Sequence, residues 1–188
     1  MDANSTHTKT LDCCHIFYVM ADYNAWMNQK IYWAVRKLTP EQLAQDRGAF
    51  FGSILGTLNH LVVGDIIWLK RFATYPTFTQ GLAPIADYPQ PQALNQLLYP
   101  DLDTLQHQRL QLDQLISHWI TQITEKSLAD ELCYTNSKGI RHCKTLGHLI
   151  LHFFNHQTHH RGQISTLLHQ AGQDIGTTDL VFRLPETP

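Results

Sequence analysis

Residues 145–170, TLGHLILHFFNHQTHHRGQISTLLHQ, form the stretch that decides the fold. Their apolar side chains and histidines recur at intervals of three and four residues, which is the period of one face of an α-helix. Thr145 is a favourable residue for capping the start of a helix, and Gly172 can adopt the left-handed conformation that often ends one. The stretch therefore predicts a long helix from about Thr145 to Gln170.

Three other segments carry the same helical period, namely residues 16–38, 53–72 and 101–124. The first of these helices is expected to end at Thr39-Pro40, because a proline ring disfavours helical geometry in the residue before it. Each segment has an apolar stripe on one face, so that each predicted helix has a side to bury.

The connections between these helices differ in length and composition. Residues 73–100 contain five of the eight prolines, which predicts a long loop with a short helical turn near residues 94–98. Residues 125–143 contain NSKG at positions 136–139, which is typical of a turn or a hairpin. No convincing pair of strands is indicated, and we therefore expect the fold to be built from helices.

Four long helices without a convincing strand pair predict an all-α four-helix bundle that forms one domain over residues 1–188. The short link between the first and second helices favours antiparallel neighbours. The long 2–3 crossover loop can return the chain to the end it left, which makes helices 2 and 3 parallel. Residues 173–188 are predicted to lie on the bundle, because Leu180, Val181 and Phe182 would be costly to leave in water.

The composition excludes several classes of protein. With 43% hydrophobic and 16% charged residues, the 188-residue chain has the composition of an ordinary globular domain. The net charge of −2 and the lack of a basic stripe argue against nucleic-acid binding. No apolar run reaches the roughly 18 residues of a membrane span, and the polar N-terminus indicates no signal peptide. We expect a soluble, cytoplasmic protein that does not bind membranes, with its four cysteines reduced because they show no CxxC spacing.

The histidines are the exceptional feature of the sequence, since seven of the twelve fall within residues 142–169. On a helix, residues spaced by four lie along one stripe, and two adjacent histidines in such a stripe can bind one metal ion. Four pairs qualify by spacing: 148/152, 152/156, 156/160 and, at a spacing of three, 156/159. A third member of the stripe is too distant, because His152 and His160 are separated by about 12 Å of helix axis.

A third ligand must therefore come from another helix. His60 is the favoured candidate, because it lies near the middle of the second predicted helix on an otherwise apolar face. His107 and His118 on the third helix are alternatives. A histidine-rich helix can also be simply polar, and the spacing does not decide among the four pairs.

Two segments resemble the DinB-like family of damage-inducible, YfiT-related metalloproteins. NHQTHHRGQISTLL at 155–168 resembles the family's His-x-x-x-His-Arg-Gly-Gln signature on the last helix, which implies that His156 and His160 are metal ligands. TLNHLVVGDIIWLKRF at 57–72 resembles the segment that supplies the third ligand, which implies His60. The segments ADYNAWMNQKIY and GTTDLVFRL extend the likeness over nearly the whole chain.

The resemblance implies a four-helix bundle with up-down-down-up connectivity, which agrees with the parallel second and third helices read from loop length. It leaves His148, His152 and His159 outside the ligand set, as surface residues or as residues that contact the ligands. His152 is the nearest of these to His156 along the stripe and could bridge to it by a hydrogen bond or water.

Three imidazoles leave a coordination position open, which is typical of a metal that binds substrate. Imidazole nitrogen suits Ni²⁺ or Zn²⁺, so we expect one divalent transition metal ion, nickel or zinc, as the cofactor. The resemblance implies a small-molecule, thiol-dependent transferase, with hydrolysis as the second enzymatic option. The alternative is a stress-associated module for metal binding or dimerisation, and a homodimer is a further expectation. No catalytic residue or general base can be named from the sequence.

Overall fold

The fold is mostly helical, as predicted. The structure is a computed structural model that describes residues 12–184 and 186. Within these residues the α-helices are α1 (Cys13–Val35), α2 (Pro40–Ala44), α3 (Ile54–Phe72), α4 (Leu102–Ile120), α5 (Glu125–Ala129) and α6 (Leu146–Gln170). Two strands, β1 (Glu131–Thr135) and β2 (Arg141–Thr145), form an antiparallel pair. The N-terminal segment that lacks a signal-peptide pattern, and residues 185, 187 and 188 of the predicted tail, lie outside the described residues.

Thr145, the predicted cap of α6, makes no side-chain capping hydrogen bond, but the other three long helices begin at side chains that accept hydrogen bonds from exposed backbone N–H groups. Asp12, Ser53 and Asp101 cap α1, α3 and α4 in this way. At the far end of α6, Gly172 has a φ of 75°, which confirms its predicted role in ending the helix. The predicted starts of these helices are therefore close to those in the structure.

Two predicted helix ends are wrong by a few residues. The first helix ends at Val35 instead of Leu38, and α4 ends at Ile120 instead of Thr124. In both cases a short helix starts nearby with its own cap: Thr39 caps α2, and Thr124 caps α5. A capping residue has extended backbone geometry, so it cannot also continue the preceding helix.

The four long helices pack side by side around the core. Helix α1 lies against α4 and α6, and α3 lies against the same two helices. Aromatic rings join them: Phe72 stacks on Trp119 with ring centroids 4.8 Å apart, and Phe17 lies 6.3 Å from Phe154. Such fully buried side chains contribute about 1.5–3 kcal/mol each. Within residues 12–184, no helix combines the length and apolar character needed to cross a membrane.

A buried network of charged and amide side chains also joins the four long helices. Arg109 of α4 forms ion pairs with Asp65 of α3 and, at 3.0 Å, with Asp113 on its own helix. The amide of Asn28 in α1 donates to Asp113 at 2.9 Å, and Arg161 of α6 donates to Asn24 of α1. The sequence did not predict these ion pairs and hydrogen bonds, because each of the inter-helix partners lies on a different helix.

The segment between α5 and α6 corrects two expectations. The NSKG signal at residues 136–139 marks a β-hairpin turn, in which Gly139 has a φ of 76°, so that the chain does contain one strand pair. The hairpin register places Cys133 directly opposite Cys143, and the two form a disulfide. The prediction of four reduced cysteines is therefore wrong for this pair, because cross-strand pairing was not foreseen. Cys13 and Cys14 are free thiols.

The long loop and the C-terminal tail are ordered differently from the predictions. The helical turns of the loop are 3₁₀ helices at Pro76–Phe78 and Ala83–Asp87, and residues 94–98 hold no helix. The tail does lie on α1, where Tyr23 donates to the carbonyl of Thr178 at 2.7 Å. Val181 and Phe182 nevertheless remain 63% and 62% exposed, so that the predicted burial of these two side chains is wrong.

Candidate metal centre

Three histidines converge where α3 packs against α6. His60 lies in the middle of α3, and His156 and His160 lie on successive turns of α6. The Nε2 atom of His60 is 3.1 Å from that of His156 and 3.2 Å from that of His160. One ligand atom from each of the three residues lies within 4.8 Å of the others. The cluster anticipated from the sequence is thus present.

The other candidate histidines lie apart from this cluster. His107 and His118 are exposed on α4, and His148 is exposed on α6. His159 is also exposed and is 3.4 Å from the amide nitrogen of Gln163. His152 packs its ring 6.0 Å from that of His156, measured between centroids. It contacts the cluster through van der Waals packing, without a direct hydrogen bond to His156.

Hydrogen bonds set the protonation of two of the converging rings. The Nδ1 atom of His60 is 2.8 Å from the carbonyl oxygen of Leu94, which can only accept. The Nδ1 atom of His160 is 2.7 Å from the amide oxygen of Gln163. Both rings therefore carry their proton on Nδ1, which leaves an unshared electron pair on each Nε2. Two acceptor nitrogens then face each other at 3.2 Å, and a cation between them removes their repulsion.

The spacing of the three nitrogens fits a divalent ion. Metal–imidazole bonds are about 2.0–2.1 Å long, so nitrogens bound to one ion at tetrahedral to octahedral angles lie about 2.9–3.4 Å from each other. The observed distances of 3.1 and 3.2 Å fall in this interval. The donor set consists of imidazoles alone, which suits nickel or zinc better than magnesium or calcium.

Burial keeps these imidazoles neutral. Desolvation lowers the pKa of His60 to about 4 and that of His156 to about 3, and it also lowers the pKa of His160. All three rings are therefore uncharged at neutral pH and have electron pairs available for a metal. Because the rings are not imidazolium ions, none of them has to lose its charge before a metal ion binds.

Phe51 closes one side of the cluster. Its ring stacks on that of His60 with centroids 3.7 Å apart and meets His160 edge to face at 5.5 Å. Phe51 lies just before α3 in sequence, outside the helical pattern, and gave no signal in the sequence. The Leu94 carbonyl was missed because its contact with His60 arises only when the long loop packs on α3. Gln163 could have been found, since it follows His160 by three residues on the same helix, a spacing at which side chains meet.

The other side of the cluster opens into a cavity of about 320 Å³. His60 and His156 line its inner end, and Trp68, Arg71 and Tyr134 line its walls. His152 also lines this cavity, where its ring is 5.1 Å from that of Trp68. A small molecule in this cavity can therefore contact His60 and His156, two of the three converging histidines.

Fold and cluster together define a class of protein, a mostly helical chain in which three neutral imidazoles converge from two packed helices. The chain belongs to the DinB family, whose family model matches residues 5–187. It is 29% identical over 163 residues to Protein DinB of Bacillus subtilis (strain 168), an alignment that covers 86% of this chain and 90% of that protein. No solved structure matches the chain significantly.

Substitution of Gly64 by Ala is expected to weaken metal binding, because the new methyl group would lie 2.9 Å from Cε1 of His156. The ring must move to relieve this contact, and its Nε2 moves with it. We expect affinity to fall by about 10- to 100-fold, as for other residues that orient a ligand. Competition with a chromophoric chelator measures the loss.

Gly162→Ala is the matched control, because a methyl group there meets nothing within 4 Å. This variant should bind metal like the parent. Parent-like affinity in Gly64→Ala would show that the close approach of α3 to His156 does not position the ring.

Proposed function

We propose that this protein binds one divalent transition metal ion, Ni²⁺ or Zn²⁺, through His60, His156 and His160. The observation that carries the proposal is the convergence of three Nε2 atoms, two of which have their proton on the opposite ring nitrogen. His60 and His160, each with its proton on Nδ1, have no hydrogen bond to offer each other through Nε2, whereas one ion can accept an electron pair from all three rings. The fit of the distances to metal–nitrogen bonds supports the same conclusion.

We further propose that the metal site acts on a small-molecule substrate, with thiol transfer as the reaction. When bound, the ion would supply a Lewis-acidic position at which a thiol is held as its more nucleophilic thiolate. The protein's own residues hold the ion and exclude water on the Phe51 side, while the cavity that Trp68 and Tyr134 help to line admits the substrate. The resemblance to DinB-like proteins supports thiol transfer over hydrolysis, and the open cavity favours catalysis over a purely structural ion.

We also infer that the four long helices form a bundle with up-down-down-up connectivity. Support comes from the order in which residue pairs meet along each helix contact. This order is opposite for α1 with α4 and for α3 with α6, as expected of antiparallel helices, and the same for α3 with α4, as expected of parallel ones. For α1 and α4 the pairs are Asn28–Asp113 and Arg36–Asp103. For α3 and α6 they are His60–His160 and Trp68–His152. For α3 and α4 they are Asp65–Arg109 and Phe72–Trp119.

Metal titration of chelator-treated protein tests the proposed function. We expect one Ni²⁺ or Zn²⁺ per chain, with helical circular dichroism retained before metal is added, because an extensive apolar core spans the long helices. The melting temperature should rise with metal, since free ion at about 1,000 times Kd stabilises the folded state by about 4 kcal/mol. Formation of a thioether from a small thiol and an electrophile should then require the metal.

Three results would contradict parts of this proposal. Failure to bind either ion would refute the metal site. Loss of most helicity on chelation would indicate that the ion has a structural role in folding. Stoichiometric binding without any metal-dependent thiol chemistry would favour a stress-associated metal-binding module.

A further inference from the structure

The cavity beside the histidine cluster continues into a larger one. The second cavity has a volume of about 650 Å³ and shares part of its lining with the first. The shared residues include Arg71 of α3 and Tyr134 and Asn136 of the β-hairpin. We call the two cavities together the hairpin cleft. It extends from His60 and His156, between α3 and the hairpin, to Lys70 and Gln92 in the outer cavity.

The hairpin cleft is positively charged. Arg71 lines both cavities and Lys70 lines the outer one, while no aspartate or glutamate of the described chain lines either. The whole chain has a net charge of −2, so the positive charge is a local property of this cleft. A cleft of one charge sign favours ligands of the other sign.

Arg71 is held in place for binding an anion. Its guanidinium carbon lies 4.7 Å from the ring centroid of Trp68 and 4.6 Å from that of Tyr134. One of its terminal nitrogens donates to the carbonyl oxygen of Thr135 at 3.2 Å. These contacts fix the plane of the group, and no carboxylate among the described residues forms an ion pair with it. Lys70 is more weakly positioned, through one hydrogen bond of 2.7 Å to the Tyr88 carbonyl.

From this geometry we propose that the hairpin cleft binds a small organic anion, and that Arg71 determines the specificity for it. The anionic group pairs with the guanidinium of Arg71, and the other end of the molecule reaches the open side of the histidine cluster. This inference rests on the proposed function, since it names the substrate class of the same site. A planar guanidinium forms paired hydrogen bonds with carboxylate or phosphate oxygens, which a neutral substrate lacks.

Binding of two thiols to the Co²⁺-loaded protein tests the inference. The thiols are mercaptosuccinate, which carries two carboxylates, and the neutral 2-mercaptoethanol, and the readout is the sulfur-to-cobalt charge-transfer absorption. We expect the parent to bind mercaptosuccinate at least about 10-fold more tightly, as charge-assisted hydrogen bonds allow. Arg71→Gln should lose most of this preference while its affinity for 2-mercaptoethanol stays unchanged.

Two further variants keep the comparison interpretable. Lys37→Gln removes a positive charge from a residue that does not line the cleft and should retain the parent's preference. Arg71→Lys keeps the charge but loses the planar group, and it should retain part of the preference for mercaptosuccinate. This result would separate anion binding from a loss of packing. Melting temperatures identify any variant that is not folded.

The outcomes separate this inference from the proposed function. Absence of Co²⁺ binding by the parent would refute the metal site itself. Cobalt binding with equal affinity for both thiols, or an equal preference in Arg71→Gln and Lys37→Gln, would overturn the inference alone. If neither thiol changes the cobalt spectrum, calorimetric titration with succinate replaces the absorption measurement. Succinate binding that is absent, or that is the same in the parent and in Arg71→Gln, overturns the inference.

Discussion

Substitution of His156 by Ala is expected to abolish stoichiometric metal binding while the helical fold is retained. This ring contacts both other histidines of the cluster, with centroids 5.0 Å from His60 and 4.5 Å from His160. Its loss removes a metal–nitrogen bond together with the geometry that the remaining pair needs. We expect the affinity to fall by more than the roughly 10- to 100-fold typical of residues that only orient a ligand. His60→Ala and His160→Ala should have the same effect.

The matched controls are histidines that lie outside the cluster. His148→Ala and His107→Ala change exposed residues on α6 and α4 and should leave one ion per chain at parental affinity. The metal affinity of His152→Ala should lie between that of the ligand variants and that of these controls, because the His152 ring packs against His156 and lines the cavity. Metal titration at one buffer and pH, with circular dichroism on each variant, measures these effects. Parental affinity in His60→Ala would refute the assignment of the ligand on α3.

Substitution of Arg109 by Met is expected to lower the free energy of unfolding more than any other substitution named above. Arg109 is 2% exposed and is the ion-pair partner of Asp65 and Asp113, which are also buried. Its removal leaves two carboxylates in the core without the cation that compensates their desolvation. Breaking a buried pair in this way typically costs about 3–5 kcal/mol. Urea denaturation followed by circular dichroism measures the change in the free energy of unfolding.

Arg36→Met is the control for this measurement. Arg36 pairs with Asp103 at 2.8 Å, but its side chain is 50% exposed and that of Asp103 is 77% exposed. A surface pair of this kind contributes about 0–1 kcal/mol. Similar small losses in the two variants would mean that the buried network does not stabilise the fold. If Arg109→Met does not fold, Asp65→Asn in the same background should restore part of the stability by removing one uncompensated charge.

The sequence by itself was sufficient to place the four long helices. Helical periodicity is a local property, and the caps at residues such as Ser53 and Asp101 are local as well. An i,i+4 histidine pair is likewise a property of one helix, so the sequence could indicate a metal site on α6. The choice of His156, His160 and His60 came from the family resemblance, since spacing alone did not exclude other histidines as ligands.

Only the tertiary structure decided which side chains surround the histidines. Phe51, the Leu94 carbonyl and Tyr134 reach the site from a segment before α3, a long loop and a hairpin. The Cys133–Cys143 disulfide depends on strand register in the same way. Such contacts join residues in different elements, and they arise from how the helices, the loops and the strands pack. Hydrophobic periodicity shows which face of a helix is buried, but it does not specify the partner that the face meets.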